Sequence, residues 1–322
     1  IPKVVVHKFV TNDNGGTANA TGFGLTVGGT PVVSGATNSF DSNVALIINE
    51  AGLAGYNFVS ITGDAKCPAL LGGTITLDEG ESVNCTITND DQPGTIRVVK
   101  TVINDNGGTL TSSNFTIQVT GTNPSPSSFP GSVGGTSVSV DAGAYSIDEI
   151  ALPGYAKTLS AGCSGTIAVG ETKECFITND DIAPKLTLNK VVITNNGGSA
   201  LNTDWSLEAN GAGSNDVIGA HGVTSNSTLL ADTFALSEAG PAGYSASAWV
   251  CVGGLQNGAN VTLGVGEEAT CTITNDDLAP SLTLVKEVKN DNGGTAQASA
   301  WTLTATGPSG FSGSGPSVSS DK

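Results

Sequence analysis

The sequence predicts an all-β chain of tandem small β-sandwich domains, arranged as beads on a string. Three observations carry that expectation. Thr, Ser, Val, Asn and Gly dominate, with 44 glycines and no methionine among 322 residues, a composition suited to short strands and tight turns. No long stretch has the apolar spacing of an amphipathic helix. One unit also recurs, its opening lysines Lys8, Lys100, Lys190 and Lys286 lying 92, 90 and 96 residues apart.

The opening of the unit reads "VVVHKFVTNDNGG", "IRVVKTVINDNGG", "LTLNKVVITNNGG" and "LTLVKEVKNDNGG" in its four copies. A central motif follows as "NEAGLAGY", "DEIALPGY" and "SEAGPAGY", and a closing motif as "CTITNDD", "CFITNDD" and "CTITNDD". Each closing motif leads into a short proline-containing joint, "QPG", "IAP" or "LAP". This period is too long for a solenoid unit and suits an independent β domain. The expected domains are 1–91, 92–181 and 182–277, with a partial fourth copy at 278–322. That copy stops before its central and closing motifs, as expected of a segment from a longer array. Continuation of the same chain is the simpler way to complete it; strands from a neighbouring subunit are the alternative.

Within each unit the period-2 alternation of strands assigns faces. Leu186 and Leu188 share a face with Lys190, and the same parity joins Val6 to Lys8, Val98 to Lys100 and Leu284 to Lys286. Ile48 goes with Glu50, Ile147 with Glu149 and Leu236 with Glu238. In the closing strand Ile87 goes with Asn89, Ile177 with Asn179 and Ile273 with Asn275. Each complete unit therefore turns one Lys, one Glu and one Asn toward its apolar interior.

The formal net charge is −17, with only 12 basic residues. Nucleic acid and anionic membrane surfaces need clustered Lys and Arg and are therefore poor partners; no nucleic acid is expected. No apolar run approaches the roughly 18 residues of a membrane span. The start at "IPKVVV", without Met, fits a processed or excerpted piece from which any signal peptide is gone. No Ser/His/Asp set, metal cluster or phosphate loop points to an enzyme acting on an external substrate.

Inward Lys, Glu and Asn allow two readings. One is a buried salt bridge with the amide as a hydrogen-bonding neighbour. The other is covalent. Burial lowers an amine's pKa and raises a carboxyl's, so a neutral lysine can attack the asparagine carbonyl carbon while the acid shuttles protons. These residues resemble the Cna B-type, SpaA-like domains of bacterial pili and surface adhesins, a prealbumin/Ig-like sandwich. That family has Lys in the first strand, Glu ahead of a "P-x-G-Y"-like turn and Asn near the end of the last strand. The resemblance implies Lys-Asn isopeptide bonds Lys8–Asn89, Lys100–Asn179 and Lys190–Asn275. Glu50, Glu149 and Glu238 are then the proton shuttles, and the partner of Lys286 lies outside the segment.

Six cysteines fall two per unit, and one pair per independent domain selects Cys67–Cys85, Cys163–Cys175 and Cys251–Cys271. Metal binding is the rival reading, with only His7 and His221 available. Disulfides would place the chain in an oxidising, extracellular setting. The "NDNGG" loops have a composition compatible with calcium or with plain turn chemistry. In the family's fold the first and last strands are parallel neighbours. That arrangement implies acidic poles of Asp13 with Asp90 and Asp91, and of Asp105 with Asp180 and Asp181. In the third unit Asn195 stands beside Asp276 and Asp277. Tyr56, Tyr155 and Tyr244 are expected in the core, Trp205, Trp249 and Trp301 are too scattered for a binding platform, and "GTNPSPSSFPG" at 121–131 reads as a long exposed loop. The expected function is structural: an extracellular filament, pilus-like fibre or adhesin shaft whose partners are adjoining repeats or copies of itself. It needs no cofactor. The alternative is a calcium-dependent adhesin module holding a glycan or host protein.

Overall fold

Each complete repeat closes on itself by pairing its two end strands in parallel. In the computed structural model, which describes residues 1–320, Lys3–Thr11 runs beside Ser82–Asp91 in register from Lys3↔Ser82 to Thr11↔Asp90. Gly94–Ile103 pairs likewise with Thr172–Asp181, and Lys185–Ile193 with Glu268–Asp277. Parallel neighbours need a long crossover, and here the whole domain between them supplies it.

The end-strand pair forms the centre of one sheet. In the first repeat the order is Thr37–Ser39, Lys3–Thr11, Ser82–Asp91, Tyr56–Gly63, and the second sheet is Thr30–Val32, Leu25–Val27, Ala45–Glu50, Thr74–Thr76. The second repeat has the same order, with Ser128–Pro130, Thr116–Thr120, Gly143–Glu149 and Ser164–Ile167 as its opposing sheet. The third adds Val250–Val252 on the last strand and Leu255–Asn257 at the edge of the opposing sheet. Strand alternation is clean: Ala45–Glu50 reads exposed and buried by turns, with Leu46, Ile48 and Glu50 inward. Each repeat has its own core, centred on residues such as Val6, Ile48 and Ile87 in the first. Val98, Ile147 and Ile177 are the counterparts in the second, and Leu188, Phe234 and Ile273 in the third.

In the fourth copy the described strands are two antiparallel pairs, Thr283–Val285 with Ser317–Ser319 and Thr302–Ala305 with Phe311–Ser314. The 121–131 stretch is largely exposed, yet it is not loop throughout. Ser128–Pro130 forms an edge strand on Thr116–Thr120, a position where proline's missing N–H is tolerated. No helix of the described residues is long and apolar enough to cross a membrane.

The chain divides after Ile182 into two units. Within the first, repeats one and two are joined by backbone hydrogen bonds: Ala142 N donates to Asn14 O at 2.8 Å and Gly170 N to Gln92 O at 2.8 Å. A Cβ on Gly15, whose φ is +85°, would lie 2.7 Å from Ala142 O. That close approach admits only glycine.

Disulfides Cys67–Cys85, Cys163–Cys175 and Cys251–Cys271 each anchor the last strand to the segment before it. They close loops of 18, 12 and 20 residues, worth about 3 kcal/mol each in the chain-entropy model. Replacing Cys163 and Cys175 together by Ser is expected to lower the second repeat's stability by about that amount. Chemical denaturation of the variant against the oxidised parent measures it.

Candidate functional site

The register of the parallel pair positions the site. Ile87 faces Lys8, and Asn89 lies two places further on, opposite Val10. The second and third repeats repeat this offset, with Asn179 opposite Val102 and Asn275 opposite Val192. Because strand side chains alternate with period 2, Lys and Asn share the inner face one pleat apart. The glutamates come from the opposite sheet, where Glu50 pairs with Leu25, Glu149 with Ile117 and Glu238 with Leu207. Lysine and asparagine thus meet from one layer, and glutamate descends from the other.

In the first repeat Lys8 Nζ donates to Asn89 Oδ1 at 2.5 Å and lies 2.9 Å from Glu50 Oε2. Lys100 Nζ is 3.0 Å from Glu149 Oε2, and Lys190 Nζ is 2.5 Å from Glu238 Oε2. All three ammonium-bearing side chains are completely buried. Burial pushes Lys8, Lys100 and Lys190 below the ordinary lysine range, and the adjacent glutamate only partly opposes it. Polar satisfaction is poor at these places. Lys100 Nζ, both Glu149 carboxyl oxygens, Asn179 Oδ1, Asn275 Oδ1 and Glu50 Oε2 are buried without a directed hydrogen bond. Lys100 and Glu149 are within ion-pair distance but misaligned for hydrogen bonding. Such groups are costly to leave unpaired.

An aromatic ring covers each lysine, a feature the sequence reading missed. Lys8 Nζ is 4.2 Å from the Phe23 ring centroid, Lys100 4.4 Å from Phe115, Lys190 4.7 Å from Trp205 and Lys286 4.9 Å from Trp301. The signal was present, since each ring lies fifteen residues after its lysine in all four copies. Trp205 and Trp301 therefore form no platform but fill the place held by Phe23 and Phe115. Short 3-10 turns at Ala20–Gly22, Ser112–Asn114 and Asn202–Asp204 deliver the first three rings inward. Tyr56, Tyr155 and Tyr244 meet these rings edge-on, with centroids 5.7, 5.4 and 5.2 Å apart.

The acidic pair that ends each closing motif divides its tasks. The second aspartate is buried and accepts hydrogen bonds from the "NDNGG" loop backbone. Asp91 takes the N–H groups of Asn14 and Gly16 at 3.0 and 2.6 Å. Asp181 takes those of Asp105, Asn106 and Gly108 at 2.9, 2.9 and 2.6 Å. Asp277 takes those of Asn196 and Gly198 at 2.9 and 2.6 Å. The tyrosine hydroxyls complete the loops, accepting from Ala18, Leu110 and Ala200 N–H at 2.9, 3.1 and 3.0 Å. A Cβ on Gly16, Gly108 or Gly198 would lie 2.2–2.4 Å from the tyrosine oxygen, so the second glycine of the motif is steric. Asp13, Asp90 and Asp91 bring carboxylate oxygens within 4.8 Å of one another, as do Asp105, Asp180 and Asp181. In the third repeat Asp276 and Asp277 have Asn195 beside them in place of a third aspartate.

These sites define a class: tandem β-sandwich repeats, each with a Lys, Glu and Asn gathered in its core. The model for the prealbumin-like fold domain, of SpaA type, matches residues 2–87, 91–176, 181–273 and 277–322. The chain belongs to this family, in four tandem copies. Among solved structures it is similar to the TIE protein of Bacillus anthracis, at 13% identity over 86% of this chain and 50% of that one, TM-score 0.44. It is also similar to the T-13 major pilin of Streptococcus pyogenes, at 12% identity over 57% and 97% of the two chains, TM-score 0.28. Two B repeat units of the collagen binding protein of Staphylococcus aureus match at 12% identity over 88% and 76%, TM-score 0.25. The chain thus spans half the length of the Bacillus anthracis protein. A search of curated proteins finds no match.

Burial raises the Asp91 carboxyl, but the Gly16 and Asn14 donors outweigh it and hold the group below the usual carboxylate value. A depressed carboxyl stabilises the fold above its unfolded pKa and loses that contribution as the pH falls through the folded one. Asp91→Asn should therefore cost stability at neutral pH and flatten the loss of stability below about pH 4, measured by denaturant midpoints across an acid series. Gly108→Ala should destabilise the second repeat by about 1–3 kcal/mol through overpacking, measured by thermal unfolding.

Proposed function

We propose that this chain is part of an extracellular fibre or adhesin shaft whose repeats are locked by isopeptide bonds formed by the domains themselves. The observation that carries the reading is the 2.5 Å approach of Lys8 Nζ to Asn89 Oδ1 beside Glu50, with the same strand register in the other two triads. The unpaired buried atoms around Glu149 and Asn179 also fit a reaction that replaces an ammonium and a primary amide with one neutral amide. In a dry site the ammonium passes its proton to the glutamate. The neutral Nζ then attacks Asn Cγ, whose carbonyl is polarised by the protonated acid. The Nζ–Cγ bond forms, the Cγ–Nδ2 bond breaks, and ammonia leaves with the proton the lysine gives up. The reaction is self-directed, with no external substrate.

A bond at this place has mechanical sense. The chain enters a repeat at the start of the first strand and leaves at the end of the last, at opposite ends of the parallel pair. With Lys8 joined to Asn89, tension passes from one to the other and residues 9–88 lie outside the load path. The cross-link would relieve domains of this size from depending on marginal noncovalent stability.

Intact-mass measurement of reduced protein is expected to show one ammonia missing for each of the three complete repeats; an unmodified mass would overturn the proposal. Glu149→Ala should restore the missing ammonia of the second repeat alone and leave that repeat sensitive to protease. A second reading, a calcium-dependent adhesin module that binds a glycan or host protein, is favoured only by the two carboxylate groups at Asp13/Asp90/Asp91 and Asp105/Asp180/Asp181. It predicts that calcium raises the melting temperature and that chelators abolish attachment to a defined ligand, whereas a shaft predicts neither.

A further inference from the structure

The three triads are built alike but covered differently. On the strand antiparallel to the last one, the residue facing the acceptor asparagine is Phe58 opposite Asn89, Lys157 opposite Asn179 and Ala246 opposite Asn275. Residues directly opposite in an antiparallel pair lie on the same sheet face, so each of these is beside its triad. Phe58 packs against the first repeat's core. Lys157 is exposed as a residue, but it is held by an ion pair to Asp148, with its Nζ 3.5 Å from the Glu149 carbonyl oxygen, beside the triad's glutamate. Ala246 has no reach, and it ends a strand of only three residues, Tyr244–Ala246, where its counterparts Tyr56–Gly63 and Tyr155–Leu159 have eight and five. The glutamates differ in exposure alongside. The glutamate side chain is 1% exposed at Glu50, 0% at Glu149 and 12% at Glu238.

We propose that the residue facing the acceptor asparagine is a solvent gate that sets how fast each repeat cross-links, and that the third repeat, gated by Ala246, is the slow one. The proposal rests on the isopeptide reading above and adds a ranking among the repeats. Its physical basis is the choice between two forms of the Lys–Glu pair. Without water the charged pair bears a large desolvation cost, and the neutral amine–acid pair competes with it. Water reaching Glu238 stabilises the charged pair, which offers neither a nucleophile nor a proton donor for the Asn275 carbonyl. Phe58, Lys157 and Ala246 act through the triad without touching the reacting bond, so they are positioning residues.

The test is a time course. The full chain is made by cell-free synthesis under oxidising conditions, quenched in acid at intervals and digested. The cross-linked peptides Lys8–Asn89, Lys100–Asn179 and Lys190–Asn275 are then quantified beside the three disulfide peptides. Disulfide formation in the same digest reports folding of each repeat, so slow folding is not mistaken for slow chemistry. The expected result is that the third repeat cross-links about tenfold or more behind the first two, the scale of a weakened acid–base step. Ala246→Phe should remove most of that lag. Phe58→Ala should slow the first repeat while Phe58→Leu, which keeps an apolar cover, should not, a distinction that survives if Ala246→Phe misfolds. Equal rates in all three repeats, unmoved by these substitutions, would overturn the gate and leave the isopeptide reading standing. Absence of every cross-linked peptide in folded, disulfide-bonded chain would remove both.

Discussion

The parallel pairing of first and last strands is the constraint on which the rest of each repeat depends. It sets the asparagine two positions past the residue facing the lysine, so that both side chains enter the core one pleat apart. It also brings the "NDNGG" loop at the end of the first strand against the aspartate at the end of the last. Were these two strands antiparallel, the lysine and asparagine would lie at different heights and the loop would have no carboxylate to close on. The same pairing separates the points where the chain enters and leaves each repeat.

Around this pair the structure is layered. The lysine amine lies deepest, under an aromatic ring, with glutamate supplied by the opposing sheet. A tyrosine edge and its hydroxyl come next, and the aspartate clasp lies at the strand ends. Each layer excludes water from the one beneath it. Exclusion of water raises the electrostatic stakes at the centre, because a buried ammonium has no cheap resting state. Among the described residues, buried side-chain atoms without a hydrogen bond accordingly gather at the triads, joined by one oxygen each of Asp90 and Asp276, while the neighbouring Asp91, Asp181 and Asp277 are held by the loop N–H groups.

Much of this was legible in sequence because it is written in period-2 alternation and in repetition. One lysine, one glutamate and one asparagine fall on inward parity in every complete unit, and each is buried or nearly so in the structure. The covering rings were harder to read, since Phe in two copies and Trp in two others do not look like one motif. Only their constant distance from the lysine betrays them. The terminal acidic pair was ambiguous for a different reason. Adjacent aspartates on a strand point to opposite faces, so Asp91 is fully buried while Asp90 is only half-buried, and composition cannot assign one to structure and the other to the surface. The 121–131 stretch, rich in Pro and Ser, hid an edge strand because edge pairing tolerates residues that a central strand would reject.

The sequence alone determined the all-β class, the repeat, the cysteine pairing and which side chains face inward, since each is a local or periodic property of the chain. Tertiary structure decided what those inward groups meet: the two-residue offset between lysine and asparagine, the descent of glutamate from the other sheet, and the differing cover given by Phe58, Lys157 and Ala246. Parity is fixed by the pleat of a single strand, whereas the lysine–asparagine register is fixed by pairing between segments some eighty residues apart and the facing residues by pairing with a further strand, which no local pattern encodes.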